Sequence, residues 1–205
     1  MKTPIKIYLT AAAFITASAF MGCSNSKTNN ASYEADTANK AAIAHKDTTA
    51  DGLKADTAKK KLDDKASKFL VKGCEANMYV IELGEMAGTH ATNADVKAFG
   101  VQIATTHKAL NTDILKQAFN ASFKLPGGID TDHAKKLKDL DKKKGADFDK
   151  AFLSTATDAI KKTADDYGDA HLNLPPSSTK DLANAAMGKL VTELNNAATL
   201  QGSIK

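Results

Sequence analysis

The chain has no arginine and no tryptophan, and all 28 of its basic residues are lysine. Guanidinium is the group that forks onto phosphates and reads guanine edges, so its absence argues against nucleic-acid recognition despite a formal net charge of +4. Two of those charges, Lys2 and Lys6, sit at the extreme N-terminus; without them the balance is +2 (4 − 2). The remaining lysines interleave with acids, which describes a solvated mixed surface. Only two cysteines occur, Cys23 and Cys74, without metal-type spacing. No glycine-rich phosphate loop, nucleophile-elbow serine or Glu-x-x-His is present, and no segment alternates apolar and polar residues as a strand would. The pair Gly127-Gly128 follows Pro126 and reads as a turn.

What is present begins with a leader. Lys2 and Lys6 precede Ile7–Met21, an apolar run rich in alanine and too short for a stable membrane span. It ends at Phe20-Met21-Gly22-Cys23, which resembles the lipobox of bacterial lipoproteins. That resemblance implies cleavage after residue 22 and lipidation of Cys23, a membrane anchor in the cell envelope. The residues after Cys23 carry no acidic cluster of the surface-export kind, so an outer-membrane position facing the periplasm is expected. An ordinary signal peptide or a short anchor is the alternative. Residues 23–64 are rich in Ala, Thr, Asp, Asn and Lys with almost no large apolar side chain, and are expected to form a tether. His45 lies in it without an assigned role.

Residues 65–205 are long enough for one core. Helical spacing recurs four times. Phe69, Gly73, Ala76, Val80, Leu83 and Ala87 share one face of a first helix over about 66–88. Lys68, Glu75 and Glu82 are placed on its polar side. Val96, Phe99, Ile103, His107, Leu110, Ile114 and Ala118 line a second over 92–120, with Thr92 and Asp95 as its capping pair. Phe148, Phe152, Ala156, Ile160, Thr163, Tyr167 and His171 line a third, with Asp147 as N-cap. Ala183, Met187, Leu190, Leu194 and Ala197 line a fourth, opened by Ser178 with Asp181; Glu193 flanks that stripe. A short helix over 131–140 lies between the second and third. The pattern predicts an all-α four-helix bundle with an extra helix in that connection.

An ordered set of short motifs then resembles the domain of unknown function 4142 family. It runs through Tyr79 to Ala87, Asp95 to Phe99, His107, Leu125-Pro126, Phe148 to Phe152, and Leu190, Glu193, Leu194 and Ala197. The resemblance implies a ferritin-like antiparallel bundle and a core site with one acid on the first helix and a histidine on each of the others. In this chain those positions fall on Val80, His107, Ile160 and Glu193, and the acid that precedes the second-helix histidine is Thr106. Two candidate metal ligands remain, His107 and Glu193. A complete zinc, iron or manganese site needs three or four protein ligands. His171 would join only if the last turn of its helix lies beside the pair, and His90 and His133 are expected to be solvated. Burying His107 without a partner would cost roughly 1–3 kcal/mol, so a hydrogen bond to Glu193 or a backbone carbonyl is expected. Cys74 is expected to be a buried, inert thiol.

Three classes of function follow. One is a non-catalytic envelope accessory or binding protein with no resident cofactor, meeting an envelope partner. The second is a metal-binding or redox protein of ferritin-like type, and the third a binder of a small apolar ligand between the helices. No residue is assigned a catalytic role.

Overall fold

The computed structural model describes residues 31–46 and 57–204, with side chains over 31–44 and 64–204. The leader 1–22 and the lipidation position Cys23 lie outside the described residues. Six helices occur among those described: α1 (Ala31–Lys46), α2 (Thr57–His90), α3 (Ala94–Ala121), α4 (Thr131–Asp141), α5 (Gly145–Asn173) and α6 (Ser178–Ser203). No strand occurs among them. The four expected long helices are α2, α3, α5 and α6, and α4 is the expected short one. The fold is an all-α helical bundle.

The apolar stripes dictate the packing. Every stripe position expected on α2 and α3 is buried, and so are the α5 positions up to Tyr167. On α6 the buried line is Thr179, Ala183, Ala186, Leu190, Glu193 and Ala197. Glu193 therefore stands on the core face rather than beside it, while Met187 and Leu194 are only half-buried. Helix α2 packs on α3 and α5, and α6 packs on α5 and α3, which closes a four-membered ring.

Chain direction follows from two junctions. Asp149, near the start of α5, receives hydrogen bonds from the residues that open α3. The hydroxyl of Ser178, at the start of α6, donates to Gln117 near the end of α3. Helices α3 and α5 are therefore parallel and occupy opposite corners, and every neighbouring pair is antiparallel. The connection 122–144 must return the full length of α3, about 42 Å for its 28 residues. Helix α4 covers part of that distance in the groove between α2 and α5, with Leu137 and Leu140 buried.

Helices α2 and α3 approach each other closely across a seam of small residues. A Cβ added at Gly84 would lie 2.4 Å from the Gly100 carbonyl oxygen and 2.9 Å from Ala104 Cβ. One at Gly100 would lie 2.5 Å from Ala87 Cβ. Glycine is required there because the obstacle at Gly84 is backbone, which cannot rotate away.

Several local expectations are corrected. The stretch 31–46, read as tether, is helical and packs on α2. Ala35 and Ile43 are buried, and Asn39 receives a hydrogen bond from the backbone N–H of Lys124 (2.6 Å) and donates one to its carbonyl (2.8 Å). Small apolar residues at helical spacing suffice once a larger bundle supplies the opposing surface. The N-cap of α3 is Asn93, not Thr92, and it accepts from the N–H groups of Asp95 and Val96. Thr92 is drawn instead to Asp149, donating from Oγ1 to Oδ2 (2.6 Å) and from its backbone N–H to Oδ1 (3.1 Å). Helix α5 begins at Gly145, whose φ of +58° suits glycine, so Asp147 lies in the first turn. The N-cap of α6 is Ser177, which accepts from Lys180 N–H. Glu75, placed on the polar side of α2, is 9% exposed because α4 covers it, whereas Glu82 is exposed as expected.

Substituting Gly84→Ala should lower stability by about 1–3 kcal/mol in chemical denaturation, despite alanine's higher helix propensity, because α2 and α3 must move apart. Gly188→Ala, where an added Cβ meets nothing within 4 Å, should stabilise by several tenths of a kcal/mol and serves as the control.

Candidate functional site

The buried polar residues of the bundle centre form one chain that crosses all four helices. His107 of α3 is fully buried. Its Nδ1 lies 2.8 Å from Asn77 Oδ1 on α2, and its Nε2 lies 3.1 Å from Glu193 Oε2 on α6. Asn77 Nδ2 in turn donates to the hydroxyl of Tyr167 on α5, at 3.0 Å. Each helix contributes one residue. Helical spacing places them: Asn77 lies one turn before Val80, and Tyr167 lies two turns after Ile160, each on its core-facing stripe.

The proton inventory follows from the donors. Asn77 presents its carbonyl oxygen to the ring, so His107 Nδ1 carries a hydrogen and donates it. Between Nε2 and Glu193 Oε2 one proton is shared, donated by the ring or by the carboxyl group. The two groups form a buried hydrogen-bonded pair whose side chains are 0% and 2% exposed. Glu193 Oε1 has no hydrogen-bond partner.

The structure thus brings His107 and Glu193 together, and His107 gains the partner its burial required. Among the described residues no larger ligand set is assembled around them. Val80 and Ile160 are buried apolar residues. Thr106 is half-exposed and donates to the Gln102 carbonyl. His171 has no hydrogen bond to the pair, and its Nδ1 is buried without a partner. His90 pairs with Asp141 at 2.9 Å. His133, expected to be solvated, is held at 2.6 Å from Glu75 and stacks on Tyr79. One imidazole and one carboxylate fall short of the donor set of a structural or catalytic metal site, and both ring nitrogens are already engaged. Sequence reasoning missed Asn77 and Tyr167 as partners. Tyr167 was legible as a stripe residue whose hydroxyl needs a donor or acceptor when buried; Asn77 carried no comparable signal.

Burial shapes the other titratable groups. Cys74 is 2% exposed, and burial, reinforced by the Glu75 charge, pushes its thiol up to about 11. Burial likewise raises the Tyr79 hydroxyl to about 12, with the carboxylates of Asp130, Glu75 and Asp158 adding to the effect. Tyr167 is raised further still, first by burial and against the lowering effect of its Asn77 hydrogen bond.

The family described as Domain of unknown function (DUF4142) matches residues 51–200, which includes every long helix of the bundle. No curated protein matches the chain, and no solved structure matches it.

His107→Leu should cost about 3–5 kcal/mol in urea unfolding, because it leaves the Glu193 carboxylate buried without its partner. The double variant His107→Leu/Glu193→Leu should recover a large part of that loss, and additive losses would show that the two side chains do not interact. A second expectation concerns alkaline pH. Cys74 and Tyr79 have folded values above their ordinary ones, so the unfolded chain releases protons first. Stability from these groups is intact below about pH 9 and is lost as pH rises through about 11–12. Denaturation midpoints measured from pH 7 to 11 should be level at first and then fall, and Cys74→Ala should flatten the first part of the decline.

Proposed function

The chain belongs to the family of the domain of unknown function DUF4142, and from that premise we propose that it is a lipid-anchored envelope protein with a non-catalytic accessory or binding role. The observation that carries the non-catalytic reading is the closure of the central polar chain. Both nitrogens of His107 are held by protein groups, and the core residues Val80, Ile160, Leu83 and Ile103 are fully buried apolar side chains. The pair then acts as a packing lock: helices that slide out of register would strand an unpartnered polar group in the core. The anchoring part rests on Lys2, Lys6, the apolar run Ile7–Met21 and Cys23. No described helix is long and apolar enough to cross a membrane, so attachment would come from the lipidated cysteine.

An accessory role also suits the surface. Phe119 is 84% exposed and Leu115 50% exposed at the end of α3, where they border a shallow groove with Phe123 and Leu125. Such a concentration of large apolar side chains is the kind of surface that meets another envelope protein.

One observation favours a second reading. Glu193 Oε1 is a buried oxygen without a partner, the atom a metal ion or small polar ligand would satisfy. On that reading the protein is a metal-binding protein of ferritin-like type with a reduced site at His107 and Glu193.

The experiment that separates them is metal retention. The purified full chain, offered iron, zinc and manganese separately and then desalted, should lose none of its bound metal on His107→Gln substitution, with helicity checked by circular dichroism. Loss of one equivalent in that variant would support the second reading instead. For the anchor, Cys23→Ser should release the protein from membranes and abolish incorporation of a labelled fatty acid; unchanged membrane association would overturn it.

A further inference from the structure

A second polar cluster lies about the crossover, away from the bundle centre. Helix α4 opens with Asp130 as its N-cap, Oδ1 accepting from His133 N–H at 2.7 Å. This cap turns His133 back toward α2. There its Nδ1 stands 2.6 Å from Glu75 Oε1 and 3.5 Å from Asp130 Oδ1. The Asp130 backbone N–H donates to the same Glu75 oxygen at 3.2 Å. One ligand-type atom from each of Glu75, Asp130 and His133 lies within 4.8 Å of the other two. All three side chains are largely shielded, at 12%, 22% and 16% exposed.

An independent observation points to a ligand here. Tyr79 is 3% exposed, its ring stacks on His133 with centroids 4.0 Å apart, and its hydroxyl has no hydrogen-bond partner. Tyr79 lines the same cavity as the three residues, a space of about 200 Å³ between α2, α4 and α5. Two lysines also border that space. Lys162 is engaged by Asp166 at 3.1 Å, and Lys72 is exposed to solvent.

We propose that Glu75, Asp130 and His133 form a binding site for a divalent transition-metal ion of the zinc class, a clip that fastens the crossover helix α4 to α2. Three donors of this kind suit zinc, manganese or ferrous iron; an imidazole nitrogen does not suit magnesium or calcium. Bonds of about 2.0–2.1 Å to tetrahedral ligands place donor atoms about 3.3 Å apart, so Nδ1 and Oε1 need to separate by less than 1 Å to admit the ion. The ion takes the place of the proton between Nδ1 and Glu75, and the imidazole binds as its Nε2–H tautomer, so a neutral His133 loses no net proton. The fourth position faces the cavity, where a bound water would meet the Tyr79 hydroxyl. This site shares no residue with the His107–Glu193 pair and does not depend on the reading of that pair.

The full chain, stripped with chelator, should be titrated with Zn²⁺, and separately with Mg²⁺, by calorimetry. One equivalent of zinc should bind and should raise the thermal unfolding midpoint as zinc increases. Magnesium should do neither. His133→Ala and Asp130→Asn should each weaken zinc binding at least tenfold. Asp130→Asn keeps the capping oxygen, so helicity should stay unchanged and a folding defect is distinguished from loss of a ligand. His107→Gln and His90→Ala should retain the equivalent. No zinc binding, or binding that persists in both His133→Ala and Asp130→Asn, would overturn the proposal. Loss of the equivalent only in His107→Gln would also overturn it and would place the metal at the bundle centre.

Discussion

A buried polar group must be answered by another group, and in this bundle that requirement ties all four long helices together. His107 on α3 can be enclosed only because Asn77 on α2 and Glu193 on α6 reach its two nitrogens, and Asn77 is itself steadied by Tyr167 on α5. Apolar stripes alone tolerate sliding by a turn, since one leucine replaces another at modest cost. A chain of directional bonds does not. The polar chain therefore sets the register that the small-residue seam at Gly84 and Gly100 then tightens.

Direction is governed by a second buried carboxylate. Asp149 supplies acceptors for the backbone N–H groups of Thr92 and Asn93, which lie just before α3. Binding those groups near the start of α5 forces α3 and α5 to start at the same end of the bundle. The crossover then has to travel the bundle's length. That journey lays α4 along α2 and α5, and so brings Asp130 and His133 over Glu75. The cluster at the crossover is a consequence of topology as much as of the residues in it.

Fold class was legible because helical periodicity is written directly in the chain. The stripe from Val96 to Ala118 needs no partner to be recognised, and its one polar member announced His107 as a residue in need of a bond. Glu193 was legible as its candidate partner by position within the family pattern. Asn77 and Asp149 were not, since a polar residue near a helical stripe is as easily solvated as buried. Which of the two it becomes depends on the neighbouring helix. His133 and Glu75 illustrate the same limit: each reads as surface until α4 is laid across α2. The segment 31–46 reads as tether because its own apolar content is small, and it is ordered by the surface it packs against.

Taken by itself, the amino-acid sequence determined the number and type of the long elements, the faces they bury, the family, and the presence of a histidine that could not stand alone in the core. These are local or periodic properties, and the chain carries them without reference to its partners. Tertiary structure decided which polar side chains meet: the Tyr167–Asn77–His107–Glu193 chain, the Asp149 junction and the Glu75–Asp130–His133 cluster. Apart from the local Asp130–His133 cap, those contacts join residues 30 to 90 positions apart. Their geometry depends on how helices are ordered and staggered, which no local spacing encodes.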